Sequence, residues 1–375
     1  MGANLEAIGP VLGALRKSQS KIVSLTVQAI AEVGKAASIP IAAFLSQTVG
    51  CQVDSALTRL YRLLHNPRLD DLKITRQMLS VLSQAHSSLV IALDWTEWRV
   101  PLRMLLASVV VGARAIPVYA AAFSKTDIPR SQNTRENAFL RVLGMILEEV
   151  RVKACFLADR GFRRVSFLNL LLKQEGHSFL VRIGDQVMVE NKKGKRLLKR
   201  WGLQPGMALD LGVVRLRQDG AATCRVVGIW AKGQREPWWL ATNLCDPLSR
   251  LAALYDRRMA IEQQIRDTKG ARFGFALVQT QIQKPEALAR FALLIGLAIM
   301  LLTAIGCAVA LRRPDVRLTS KAKGHRLSLL SVGRLFFHSF LKNQKLSLDL
   351  LLQNLPPPTL RSFDWLNSIS EEKEK

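Results

Sequence analysis

The chain has 375 residues, 49% of them hydrophobic, and carries 54 Lys+Arg against 29 Asp+Glu for a formal net charge of +25. That apolar content excludes a disordered tail and supplies core for one large or two to three smaller domains. The positive excess points to a polyanionic partner, nucleic acid first and an anionic membrane surface second.

The chain opens on "MGANLEAIGPVLGALRK", with an acid ahead of its first cation and no sustained apolar core, unlike a signal peptide. Residues 1–85 read as helices, with Gly34, Pro40, Gly50 and Pro67 as punctuation. Arg59 and Arg62 lie on one of these helices, compatible with a helix-turn-helix-like DNA reader or an ordinary bundle. The period then changes. "SLVIALDWTEW", "RMLLASVVVGA" and "AIPVYAAAF" read as strands, the last two joined by a turn at Gly112–Arg114. A helix follows in "NTRENAFLRVLGMILEEV", with Asn133 or Thr134 as its cap. Then come a strand ending at Asp159, a helix closed by Gly176, and the strand "SFLVRIG". This order predicts an α/β fold with a mixed sheet covered by helices. Residues 186–245 read as a β-rich insertion, with turns at Lys193-Gly194 and Asp219-Gly220 and the basic cluster "KKGKRLLKR".

Residues 246–311 return to helix and end in "FALLIGLAIMLLTAIGCAVAL", a charge-free run of membrane-spanning length. A helix hydrophobic all round can also cover a large core, and that reading is preferred here, with Pro314 as the stop. Residues 312–375 start basic, with nine Lys or Arg against Asp315 up to residue 345, and "PPP" and "EEKEK" mark a solvated end.

Asp94 and Asp159 each end an apolar strand-like run. Strand ends on one side of a twisted α/β sheet open onto a ligand crevice. Two carboxylates there repel unless a divalent cation lies between them. Cys51, Cys155, Cys224, Cys245 and Cys307 are scattered, form no CxxC and have no neighbouring His, which argues against zinc fingers and fits a reducing cytoplasm. Oxygen-only ligation therefore selects Mg²⁺ or Mn²⁺. In "YDRRMAIEQQIRDTKGARFGF", Tyr255, Arg258, Glu262 and Lys269 fall within roughly a 60° arc of a continuous helix. Glu262 can add the third carboxylate for two metals, with Arg258 and Lys269 beside it holding phosphates and Tyr255 bonding a phosphate or stacking on a base. Rival acids point elsewhere: Asp256 and Asp267 lie roughly 120–140° away on the helix, and Glu97 faces the opposite side of a continuing strand.

The spacing Y-x2-R-x3-E-x6-K resembles the signature of bacterial insertion-sequence DDE transposases with the YREK motif. "ALDWTEW" (Asp94, Thr96), "FLADRGF" (Asp159, Arg160, Phe162) and "WWLATN" resemble the other motifs of that group, in the expected order over roughly residues 88–275. The resemblance implies an RNase H-like core with Asp94, Asp159 and Glu262 as catalytic and metal-binding residues for two Mg²⁺ ions. It implies cut-and-paste transposition through a DNA hairpin and a homodimer pairing two element ends with their terminal inverted repeats. A Trp in the insertion bracing a flipped base is also implied. Trp238 is favoured over Trp239, which reads as core, and a stacked aromatic would offset about 1–3 kcal/mol of unstacking. Arg160 and Arg182 are further phosphate contacts. The expected partners are double-stranded DNA and a second copy of the chain, with no membrane. The expected organisation is a helical DNA-binding domain at 1–85, core at 86–185 and 246–311, the insertion between them, and a basic C-terminal region.

Overall fold

The computed structural model describes residues 9–97, 102–126, 132–191, 194–217, 220–270, 275–277, 280, 282–312, 327–343, 353–363 and 365–366. The N-terminal part is α1 (Gly9–Leu12), α2 (Lys17–Val33), α3 (Ser38–Val49), α4 (Val53–Leu64) and α5 (Asp71–Gln84). Gly34 and Gly50, with φ of 65° and 70°, close α2 and α3 in the left-handed conformation that glycine adopts without strain. Pro40 breaks nothing. It lies in the first turn of α3, where a missing N–H is tolerated.

Strands β1 (Ser88–Glu97), β2 (Leu102–Val111) and β3 (Arg114–Ser124) form the expected antiparallel meander, and Gly112 at φ 55° opens the predicted hairpin turn. Helix α6 (Gln132–Glu149) begins before both Asn133 and Thr134, so neither is its cap, and the preceding residues lie outside those described. Strand β4 (Lys153–Ala158) pairs parallel to β1, and α7 (Val165–Lys173) carries the chain to β5 (Ser178–Ile183), parallel to β4. The order β3-β2-β1-β4-β5 is the RNase H-like mixed sheet the sequence predicts.

The insertion supplies β6 (Met188–Asn191), β7 (Gly194–Leu197), β8 (Met207–Arg217), β9 (Ala221–Trp230) and β10 (Trp238–Thr242). Lys193 and Asp219, half of each predicted turn, lie outside the described residues, between paired ends Asn191↔Gly194 and Arg217↔Ala221. Strand β10 pairs antiparallel with β5, so the insertion extends the core into one ten-stranded sheet ending in β10-β9-β8-β6-β7.

The last helices are α8 (Leu248–Asp256), α9 (Met259–Lys269), α10 (Pro285–Arg312) and α11 (Leu329–Asn343). Pro314 lies outside the described residues, just past the end of α10. Helix α10 is long and apolar enough to cross a membrane, but 94% of its most apolar window is buried inside this protein. It packs on β3 and is surrounded by α2, α4, α5 and α11. Small residues allow the close approaches: a Cβ at Gly296 would sit 2.2 Å from the Pro117 carbonyl oxygen, and one at Gly306 1.9 Å from that of Leu329. Its one buried cation, Arg290, donates to Asp71 Oδ1 (2.8 Å) and to the carbonyls of Leu64 (2.8 Å) and Leu69 (3.3 Å), tying α4 and α5 to the core.

The "PPP" stretch is not a solvated end. Gly112 and the tail exchange backbone hydrogen bonds with Pro356 and Thr359, and Leu355, Phe363 and Leu366 are buried. The tail is a strap that runs from the β2–β3 turn at Gly112 to Trp238 of β10, with its buried apolar residues on either side of the three prolines.

Candidate active site

The parallel ladder between β1 and β4 ends at Leu93↔Ala158, and the next residue on each chain is Asp94 and Asp159. The two carboxylates therefore leave the sheet side by side. Strand β1 does not end at Asp94 as the sequence reading expected; it continues to Glu97 along β2 alone. Asp159 does end its strand. It caps a tight turn over Arg160–Phe162, its Oδ1 accepting from Gly161 N–H at 2.8 Å.

Burial, and next the negative charge of Asp159, push the Asp94 carboxyl up to about 6, with Arg258 opposing and Glu262 adding to the rise. A buried acid with two like-charged neighbours is a site that lacks positive charge. Arg258 supplies part of it. Its guanidinium donates to Glu262 Oε1 at 2.8 Å.

Helix α9 lies on the face of the sheet that bears Asp94: Gln264 Oε1 accepts from Ser108 Oγ at 3.2 Å, and Ser108 pairs with Ala92, two residues before Asp94. One expectation is corrected here. Tyr255 to Lys269 is not one continuous helix. Between α8 and α9 the N–H groups of Arg257, Arg258, Ala260 and Ile261 reach only three residues back, at 2.9–3.1 Å, which is the tighter 3₁₀ spacing. Neither Gly nor Pro stands there. The break separates two anchors of different direction, Tyr255 buried under Trp238 and Ile261 with Gln264 buried against the sheet. The arc projected across all four residues thus applies only from α9 onward. Glu262 and Lys269, seven apart, still share a face, and Arg258 keeps its i,i+4 pair with Glu262.

Lys269 turns back toward β1, its Nζ donating to the Glu97 carbonyl oxygen, and burial lowers its pKa. Tyr255 is 3% exposed, and burial pushes its phenol up to about 12. Its ring meets that of Trp238 edge-on at 5.1 Å, and Phe363 of the strap lies 6.2 Å from Trp238 on another side. Trp239, on the opposite face, is a core residue at 2% exposure, packed over Gly228. Arg160 and Arg182 share the Glu236 carboxylate, at 3.2 and 3.0 Å, next to the start of β10. Glu236 and Phe363 were not foreseen; each meets the site only through tertiary packing, with no local sequence signal.

The rival acids are engaged elsewhere. Asp256 pairs with Arg257, Asp267 with Arg114 at 3.4 Å, and the exposed Glu97 with Arg103 and Lys125. Among the described residues no three His, Cys, Asp or Glu side chains lie close enough to hold an ion together. Glu262 is turned onto Arg258. The donor set nevertheless fits a hard divalent cation: the ligands are oxygen only, and the buried Asp94 beside Asp159 is short of positive charge.

Comparison with curated proteins gave no match. A family model described as "Transposase DDE domain" matches residues 85–301, more than half of the chain and the whole span from β1 through α9. The chain therefore belongs to the DDE transposases, a family of DNA-binding enzymes that cut and join DNA strands and use divalent metal ions.

Proposed function

We propose that the protein is the transposase of an insertion sequence, of the YREK group, moving its element by cutting and pasting. Asp94, Asp159 and Glu262 are the catalytic carboxylates and hold two Mg²⁺ ions, with Mn²⁺ as a substitute. The observation that carries this reading is the pairing of Asp94 and Asp159 at the end of one ladder, with Asp94 raised to about 6 and Glu262 within its electrostatic reach. When bound, such cations activate a water or a 3′-hydroxyl and stabilise the leaving oxygen. Arg258 holds Glu262 in the absence of metal and passes to a DNA phosphate when Glu262 turns to the ions. Lys269 and Arg160 take phosphates flanking the cut, Arg160 exchanging Glu236 for DNA. Trp238 braces an unstacked base, and Tyr255 supports its ring from behind.

In the reaction, one strand is hydrolysed at the element's end, and its 3′-hydroxyl attacks the opposite strand to form a hairpin. The hairpin is reopened and the 3′-hydroxyl joins to target DNA. Two copies of the chain pair two terminal inverted repeats, working in the cytoplasm on the chromosome. Residues 1–85 serve as an end-reading domain: α3 and α4 meet across Gly50–Gln52 as a helix-turn-helix, with Arg59, Tyr61 and Arg62 exposed on α4. Residues 86–185 and 246–311 form the catalytic core, 186–245 the insertion, and 312–375 a basic C-terminal region.

The test is incubation of the protein with Mg²⁺ and duplexes taken from the inverted repeats that bracket its reading frame. Hairpin-ended fragments and strand-transfer products are expected. Nicked DNA with no joining to a second duplex would instead identify a nuclease of the same fold. An Asp94→Ala protein with unchanged products would point to a DNA-binding role without catalysis.

A further inference from the structure

Glu136 on α6 is 1% exposed, a costly position for a carboxylate unless its partners are well made. Three side chains converge on it. Trp95 Nε1–H donates to Oε1 at 2.8 Å, Gln132 Nε2 to the same oxygen at 2.9 Å, and the Arg164 guanidinium to Oε2. Arg164 is itself fixed by Ser166 Oγ at 3.0 Å and by the Asn133 carbonyl at 3.4 Å.

Trp95 directly follows Asp94 and points to the opposite face of the sheet. Arg164 stands two residues past the tight turn that Asp159 caps and is the N-cap residue of α7. Backbone pairing between β1 and β4 stops at Leu93↔Ala158, one residue short of both aspartates. Past that point the ladder no longer fixes how far apart the two carboxylate-bearing segments stand. The bridge Trp95–Glu136–Arg164 spans that gap from behind, joining β1 to the turn after β4.

We infer that Glu136 is a positioning residue, which sets the separation of Asp94 and Asp159 from the far face of the sheet without touching DNA. The inference rests on the proposed role of those two aspartates. The Glu136 carboxylate is taken up by Trp95, Gln132 and Arg164, and the residue acts by holding Trp95 and Arg164 at a fixed distance.

The decisive variant replaces the bridge by apolar side chains of similar length, Glu136→Met with Arg164→Met, because removing both partners of a buried pair preserves folding better than removing one. Thermal unfolding, DNA affinity, Mn²⁺ affinity of the DNA-free protein by calorimetry, and single-turnover cleavage are compared with the native protein. The expected result is a Tm within a few degrees of native and unchanged DNA affinity. Mn²⁺ binding is expected to weaken at least fivefold and cleavage to slow at least tenfold. A second variant, Trp95→Phe, removes the indole N–H and keeps a smaller aromatic ring against Phe123, leaving the Glu136–Arg164 pair in place. It is expected to weaken Mn²⁺ binding two- to fivefold with little change in Tm. Native Mn²⁺ affinity and native cleavage in either folded variant would overturn the inference and leave Glu136 a purely structural residue. Asp94→Asn run alongside separates the two levels: if it cleaves at the native rate, the catalytic reading has failed instead.

Discussion

Helices α9 and α10 share contact with β3, yet they have opposite characters. Helix α10 is covered by β3, α2, α4, α5 and α11, and from Phe291 to Ala308 it is buried and free of charge. Helix α9 is buried along one stripe, through Ala260, Ile261, Gln264 and Thr268, and leaves Glu262 at its edge. The number of neighbours a helix has decides how hydrophobic its sequence must be. Twenty-one charge-free residues therefore mark a central core helix as readily as a membrane span. The difference also divides labour: α10 holds the sheet in shape, and α9 carries charge to it.

The largest effect should come from the structural member of the pair. In Gly306→Val the new side chain would collide with the backbone of α11, where a Cβ already falls 1.9 Å from the Leu329 carbonyl oxygen. Overpacking against backbone costs several kcal/mol. Loss of cooperative unfolding is expected, followed by circular dichroism against temperature. On α9 the signs reverse. Glu262→Gln should reduce strand cleavage by about a thousandfold or more while Tm moves little, since the amide still accepts from Arg258. A folding defect as large as that of Gly306→Val would erase the contrast.

The intermediate effect concerns Asp94, where function opposes stability. Its carboxyl is raised above the ordinary value, first by burial and then by Asp159. The folded state thus retains a proton that the unfolded chain releases between about pH 4 and 6, and stability falls as pH rises through that window. Asp94→Asn cannot ionise. Without divalent cations it should be more stable than the native protein above pH 6, by about 1–3 kcal/mol, with the difference vanishing below pH 4. Urea unfolding across pH measures it, and a pH-independent difference would remove Asp94 as its source.

The smallest effect is at Lys269. Lys269→Ala should lower DNA affinity by about tenfold or less, reduce the salt slope by about one counterion and leave Mn²⁺ affinity unchanged. Loss of Mn²⁺ binding with intact DNA affinity would reverse the assigned roles.

Much of the core was legible in the sequence because short-range patterns carry it. The meander, the crossover helices and the apolar runs pointed to the mixed sheet, and Asp94 and Asp159 stood out because each closes an apolar run, although only Asp159 follows the end of its strand. What was not legible depends on contacts far apart in the chain. A regular 100° projection cannot foresee that Tyr255 is drawn under Trp238 and that α8 separates from α9. Three prolines look solvated until Leu355 and Phe363 find buried seats. Glu136 reads as an ordinary polar residue of a helix start, and only the folded chain brings Trp95 and Arg164 to it from 41 and 28 residues away.

The central claim is that Asp94, Asp159 and Glu262 take up metal together. Crystals soaked in Mn²⁺ and measured for anomalous scattering test it most directly. The account predicts a peak about 2.1–2.4 Å from oxygens of Asp94 and Asp159, with Glu262 released from Arg258 and turned to the ions. A peak bound elsewhere, or Glu262 still paired with Arg258 beside the bound ions, would contradict it.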